Sequence, residues 1–110
     1  MIDTRKMLGI AAGALLLAFA FVPAARSDDG AALYKQKCAA CHGADGAGQT
    51  GMGKSMKLRD LGSADVQKQS DAELTTIIAK GKNKMPAFEA KLKPEEIKSL
   101  VAYIRSLGKK

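Results

Sequence analysis

Residues 38–42 read Cys38-Ala39-Ala40-Cys41-His42, and the meaning of this pentapeptide decides how the rest of the chain folds. C-x-x-C-H is the attachment signature of a c-type haem. The reason is geometric. Two thiols three residues apart can form thioethers to the two vinyl groups along one porphyrin edge, and the adjacent imidazole then reaches the iron as its proximal axial ligand. Three other uses of the same residues fit worse. A thioredoxin-like redox pair needs a strand-led βαβ unit, and no strand pattern precedes Cys38. A zinc site needs four ligands, whereas this neighbourhood offers two Cys and one His. A disulfide between Cys38 and Cys41 closes too short a loop to constrain the chain and leaves His42 without a role. The reading is therefore one covalently attached haem c per chain, held by Cys38, Cys41 and His42.

Size makes the same demand from another direction. The chain has 110 residues, room for one domain, and its opening reads as a secretory signal. Arg5 and Lys6 form a short basic region, the run from Met7 to Ala25 is uncharged, and small residues offer cleavage after Ala24 or Ser27. This assigns 1–27 to the signal and 28–110 to the mature domain. The apolar run lies near the lower limit of about 17 residues for a membrane span, so a retained N-terminal anchor is the alternative. From Asp28 onward there are 15 Lys and Arg against 10 Asp and Glu, a net charge of +5. A domain this small buries only about 60–65% of its unfolded surface, so its core is marginal and needs reinforcement. With no useful disulfide available, the haem itself would be the core.

The flanking pattern is helical throughout, with no convincing alternation at period two. A first helix is expected from Asp28 to Cys41, with Asp28 and Asp29 capping it and favouring its dipole. A Gly-rich loop follows from Gly43 to Gly53, then a less regular segment as far as Gln69. A second helix opens at the capping box Ser70-Asp71-Ala72-Glu73, buries Leu74, Ile77 and Ile78, and stops at Gly81. The last begins at Pro94 after a weak cap, Lys93, and carries the stripe Ile97, Leu100, Val101, Ile104 and Leu107.

The sixth iron ligand comes from the methionines, because His42 is the only histidine in the chain. Met52 and Met56 follow His42 too closely to cross to the opposite haem face, and read as loop and packing residues. Met85 stands 43 residues on, directly before Pro86, which stiffens the backbone beside it. Met85 is therefore the expected distal axial ligand, and methionine at that position raises the reduction potential.

Together these residues resemble the small monohaem class I cytochromes c, of the bacterial and cytochrome c6-like kind, from Gly30 to Leu107. Gly30 and Tyr34 precede Cys38, and Leu100 and Tyr103 occupy the last helix, at the family's spacings. The resemblance implies an all-α class I cytochrome c fold, three or more helices wrapped around one haem, with its first and last helices crossing at Gly30. Lys84-Met85-Pro86-Ala87-Phe88 is similar to the family's methionine-ligand loop. One departure stands out: many members have a loop proline whose carbonyl accepts the proximal histidine N–H. No proline lies between His42 and Pro86 here, so another carbonyl of the Gly-rich loop is expected in that role.

Two decoys share this loop. Gly46-x-Gly48-x-x-Gly51 fits a dinucleotide fingerprint, and Gly48 to Ser55 fits G-x-x-x-x-G-K-S. Both need a buried strand delivering the loop to a helix, so no nucleotide is expected; the glycines read instead as letting the backbone lie close to the porphyrin. Nucleic acid is a poor partner for an exported protein whose few aromatics do not interleave with charge. Lys80, Lys82 and Lys84 flank Met85, and Lys35 and Lys37 precede Cys38, so acidic redox-partner proteins are the expected partners. A haem enzyme needs an open iron site and a distal acid–base group, which Met85 closes and the single histidine does not supply. The expectation is a non-enzymatic, soluble electron carrier in the bacterial periplasm, with a thylakoid-lumen or membrane-anchored position as alternatives. A haem subunit of a larger oxidoreductase, an open-site haem enzyme and a gas sensor are the competing functions.

Overall fold

The computed structural model describes residues 26–108. The signal reading of 1–27 and the question of a retained anchor therefore lie, but for the last two residues, outside the described part. Six helices are present among the described residues: α1 (Ser27–Lys37), α2 (Ala39–His42), α3 (Gly51–Ser55), α4 (Ala64–Gln67), α5 (Asp71–Lys80) and α6 (Pro94–Ser106). No strand forms among the described residues; Lys82 and Met85 make a single antiparallel bridge. The architecture is all-α, as expected.

The frame is the crossing of α1 and α6. Gly30 costs about 1 kcal/mol of helix propensity relative to alanine, and the crossing explains why it is there. A Cβ on Gly30 would stand 2.0 Å from the Ser99 carbonyl oxygen and 2.9 Å from the Tyr103 Cβ, so only glycine lets the two backbones meet. One turn along, Tyr34 and Tyr103 pack with ring centroids 4.9 Å apart, tilted by 46°. α6 buries Ile97, Leu100, Val101 and Ile104, while Leu107 at its C-cap is half-buried. Its start is better secured than Lys93 suggested, because Glu96 Oε1 accepts from the Lys93 N–H at 2.9 Å.

α5 lies against α6. Ser70 is its N-cap, accepting from the Glu73 N–H at 3.0 Å, and Leu74 and Ile78 are buried, with Ile77 only half-buried. Arg105 ties the two helices: it pairs with Asp71 at 2.9 Å and donates to the carbonyls of Gln67 and Gln69. Gln67 in turn donates to the carbonyls of Leu61 and Ile104, each at 2.9 Å.

Three expectations are corrected. The first helix does not run unbroken to Cys41; it ends at Lys37, and Cys38 at φ −118° is a joint before the short α2. Asp28 and Asp29 do not cap α1. Arg26 occupies the N-cap without a side-chain bond, and the two aspartates sit in the first turn, where they still favour the helix dipole. The segment before Gln69 is not irregular throughout, since α3 and α4 form there, capped by the side-chain oxygens of Thr50 and Ser63.

Candidate haem-attachment site

Between Tyr34 and Val66 the chain contributes no buried hydrophobic side chain. Every buried position from residue 35 to 65 is a glycine: Gly43, Gly46, Gly48, Gly53 and Gly62. Cys38, Cys41 and His42 lie in this stretch and are half-buried. A segment so short of apolar burial gains little from the hydrophobic effect, and an apolar group attached through these side chains would supply what is missing.

The two cysteines form no disulfide with each other. Cys38 joins α1 to α2: its N–H donates to the Tyr34 carbonyl at 2.8 Å, and its own carbonyl accepts from Cys41 at 3.2 Å and His42 at 2.9 Å. Burial first, and the neighbouring Cys41 second, push the Cys38 thiol up to about 11. It is therefore a neutral thiol at ordinary pH. Burial lowers the pKa of His42 and keeps its imidazole in the neutral form that ligates a metal. Among the described residues no three His, Cys, Asp or Glu side chains converge as a bare-ion site. Two cysteines and one histidine fit haem attachment better than zinc, which takes four ligands.

The backbone around His42 is held closely. Three successive carbonyls each accept from outside α2: Cys41 from the Thr50 hydroxyl at 2.6 Å, His42 from the Gly48 N–H at 2.8 Å, and Gly43 from the Tyr34 hydroxyl at 2.6 Å. Thr50 also caps α3 by accepting from the Gly53 N–H at 2.8 Å. Burial, with smaller contributions from Cys38, Tyr103 and Asp45, holds the Tyr34 hydroxyl protonated well beyond the usual phenol range. The ring of His42 is treated differently: its Nδ1 is buried and has no hydrogen-bond partner among the described residues. The backbone acceptor expected in the Gly-rich loop is not engaged with it.

The loop glycines serve the protein's own packing. A Cβ on Gly53 would lie 2.4 Å from the Gly48 carbonyl oxygen and 2.8 Å from that of Cys41. One on Gly48, where φ is +72°, would lie 2.9 Å from the Leu58 carbonyl oxygen. The close approach these glycines allow here is one of protein backbone to protein backbone. Neither decoy motif survives, because Gly51–Ser55 is a five-residue helix with no strand before it.

Met85 sits in a tight turn after α5. Its N–H donates to the Lys82 carbonyl at 2.9 Å and its carbonyl accepts from the Lys82 N–H at 3.2 Å. Both Met85 and Cys38 pack, half-buried, against the same hydrophobic core. The chain then returns beside α5, with Phe88 and Glu89 donating to the carbonyls of Ile78 and Ala79, and Phe88 and Leu92 are buried. Met52 is 56% exposed and stands apart from that core; Met56 is half-buried at the end of α3. Lys35, Lys37, Lys80, Lys82 and Lys84 are all exposed, but Lys80 is paired with Glu89 at 2.8 Å. The sequence reading missed Thr50 and the hydroxyl of Tyr34. Thr50 immediately before Gly51-Met52-Gly53 carries a cap signal; the Tyr34 bond has no local signature.

Comparison with known proteins agrees with this geometry. The family described as cytochrome c oxidase, cbb3-type, subunit III matches residues 25–104. Cytochrome c6 of Nostoc sp. is 40% identical over 109 residues, covering 94% of this chain and 87% of that protein. The cbb3-type cytochrome c oxidase subunit CcoP of Azospirillum brasilense is 33% identical over 77% of this chain, which spans only 30% of that subunit. Among solved structures, the KustC0563 c-type cytochrome superposes with a TM-score of 0.69 at 40% identity, over 74% of this chain and 99% of its own.

Proposed function

We propose a function from the premise that the chain belongs to the cytochrome c family. It has the all-α class I cytochrome c fold and carries one covalently bound c-type haem, which makes it a c-type haem protein of the electron-transfer class. When bound, that haem supplies a one-electron couple at its iron. In our reading Cys38 and Cys41 form the thioether links, His42 is the proximal axial ligand and Met85 the distal one. The chain then works as a soluble periplasmic carrier that passes single electrons between redox partners and catalyses no reaction of its own.

The observation that carries this reading is the pairing of Cys38 and Met85 on one core, with Met85 held in a bridged turn. A residue whose backbone is held in that way suits a permanent ligand, one that closes the iron to substrates and gases. Lys82 and Lys84 surround the turn and Lys35 and Lys37 lead into Cys38; none of the four is in an ion pair among the described residues. Asp29, Glu95 and Glu96 gather instead at the N-terminal ends of α1 and α6. This separation of charge favours approach of an acidic partner to the end of α1 that bears Cys38.

The match to the oxidase subunit supports a second reading, a haem subunit of a larger oxidoreductase. The two part on assembly: a carrier purifies alone from the periplasmic fraction, a subunit with its enzyme.

The test is a paired oxidised and reduced optical spectrum of the isolated protein, with CO added to the reduced form. Low-spin bands untouched by CO are expected, and Met85→Ala should keep the haem attached, lower the potential and admit CO. A variant that keeps the parent spectrum and potential would remove Met85 from the iron. A high-spin, CO-sensitive parent would replace the carrier by an enzyme or sensor.

A further inference from the structure

We infer that Tyr34 and Thr50 are positioning residues for the proximal ligand: their hydroxyls hold the backbone carbonyls on either side of His42, and so fix an imidazole that has no acceptor among the described residues. The inference rests on His42 being the proximal ligand, as proposed above.

α2 has four residues and ends at His42, so the carbonyls of Cys41, His42 and Gly43 belong to the last turn that no helix continues. Left bare, such groups fray. Here each is taken by a donor from elsewhere in the chain, the outer two by side-chain hydroxyls at 2.6 Å. Neither hydroxyl is free to turn away. Thr50 Oγ1 accepts from the Gly53 N–H at 2.8 Å, which leaves its one hydrogen for Cys41. Tyr34 is 2% exposed, and a Cβ on Gly46 would stand 3.5 Å from its hydroxyl oxygen. A phenol buried there without its bond to Gly43 would be costly.

Proteins usually orient a metal-ligating imidazole by an acceptor at its second nitrogen. Nδ1 of His42 has none. The direction of the ring is then set by the position of its Cα and by packing, and the Cα is fixed by the carbonyls on either side. Removing a donor has two effects. The ring gains freedom to turn, and the released carbonyl oxygen becomes more negative beside the ligand, which favours the more positive, oxidised iron.

The experiment uses the full holoprotein and four variants: Tyr34→Phe, Thr50→Val, the double variant and Thr50→Ser. A net hydrogen bond is worth about a factor of five in an equilibrium constant, and the two oxidation states feel only part of that difference. Poised at the parent midpoint, Tyr34→Phe and Thr50→Val should each raise the oxidised-to-reduced ratio from one to about two or three. The double variant should exceed both, with shifted low-spin EPR g-values and Met85 still on the iron. Thr50→Ser keeps the hydroxyl and should return to the parent values. Unchanged ratios and g-values, with stability alone reduced, would overturn the inference, as would Thr50→Ser behaving like Thr50→Val. A parent protein with no histidine-ligated low-spin signal would overturn the ligand assignment itself, a failure visible before any variant is made.

Discussion

Gly81→Ala isolates the placement of Met85 without touching either the ligand or the motif. Gly81 ends α5 at φ +78°, ψ 169°, a region that is essentially reserved for glycine and costs another residue about 1–3 kcal/mol. The added Cβ would stand 2.5 Å from the Met85 carbonyl oxygen and 3.0 Å from both Ala87 N and Pro86 C. The first distance is roughly 0.8 Å inside the closest ordinary C–H···O spacing. What lies on the far side is backbone, so the strain cannot be relieved by rotating a side chain. The turn must open instead, and the bonds between Lys82 and Met85 are the first it would stretch. Adding an overpacking cost of about 1 kcal/mol to about 2 kcal/mol of backbone strain gives a loss near 3 kcal/mol. Guanidinium unfolding of the holoprotein measures that loss, and the ferric spectrum and CO binding by the reduced protein report whether methionine stays on the iron. Gly51→Ala is the control: no heavy atom lies within 4 Å of its Cβ position, and the change should be neutral or stabilise by about 0.5 kcal/mol. A Gly81→Ala protein that loses less than about 1 kcal/mol and keeps the parent spectrum would refute the claim that Gly81 sets the turn.

Gly30→Ala drives a Cβ to 2.0 Å from the Ser99 carbonyl oxygen; a loss of about 2 kcal/mol should lower the thermal midpoint of the holoprotein by about 8–16 °C. Because the α1–α6 crossing is remote from Met85 in sequence, the ferric spectrum below the transition should stay that of the parent. Lys82→Glu with Lys84→Glu should slow electron transfer to an acidic redox protein by about tenfold at low salt, and the difference should shrink as salt screens it. Lys80→Gln should do much less, because Lys80 already faces Glu89; an equal effect from Lys80 would move the docking surface.

Much of the fold is legible because its long elements carry redundant signals. α6 has a buried stripe, a proline in its first turn and Glu96 three residues past its cap, and each alone points to the same helix. α5 is announced by Ser70 and closed by Gly81. The short helices α3 and α4 escape notice because four or five residues do not complete enough of a 3.6-residue period to show one. The joint at Cys38 is equally silent: the apolar spacing of Tyr34, Cys38 and Cys41 runs through it, and only backbone angles reveal the break. At the site, C-x-x-C-H and Met85 before Pro86 are local patterns, visible in the sequence without any knowledge of the fold. The bonds of Tyr34 to Gly43 and Thr50 to Cys41 each bridge nine residues, and the Lys80–Glu89 pair depends on the same kind of return of the chain. Such contacts exist only once the loops between them have closed.

The glycines explain why the segment around the motif can close at all. From residue 35 to 65 no large side chain is buried, so the backbone is drawn inward by its own hydrogen bonds: Gly48 to His42, Leu61 to Gly46, Leu58 to Gly53. Each needs two stretches of chain nearer than a Cβ allows, and at Gly48 and Gly53 the approach is to bare carbonyl oxygens. A segment built this way has little resistance of its own, since a net hydrogen bond contributes only about 1 kcal/mol and only half-buried side chains such as Ala39 and Leu61 reach the core. Covalent attachment at Cys38 and Cys41 changes that balance, because the apolar group the segment would cover is then part of the chain and cannot leave. On this view the small core of α1, α5 and α6 sets the fold, while the haem completes the side of the molecule that the sequence leaves without fully buried hydrophobic side chains.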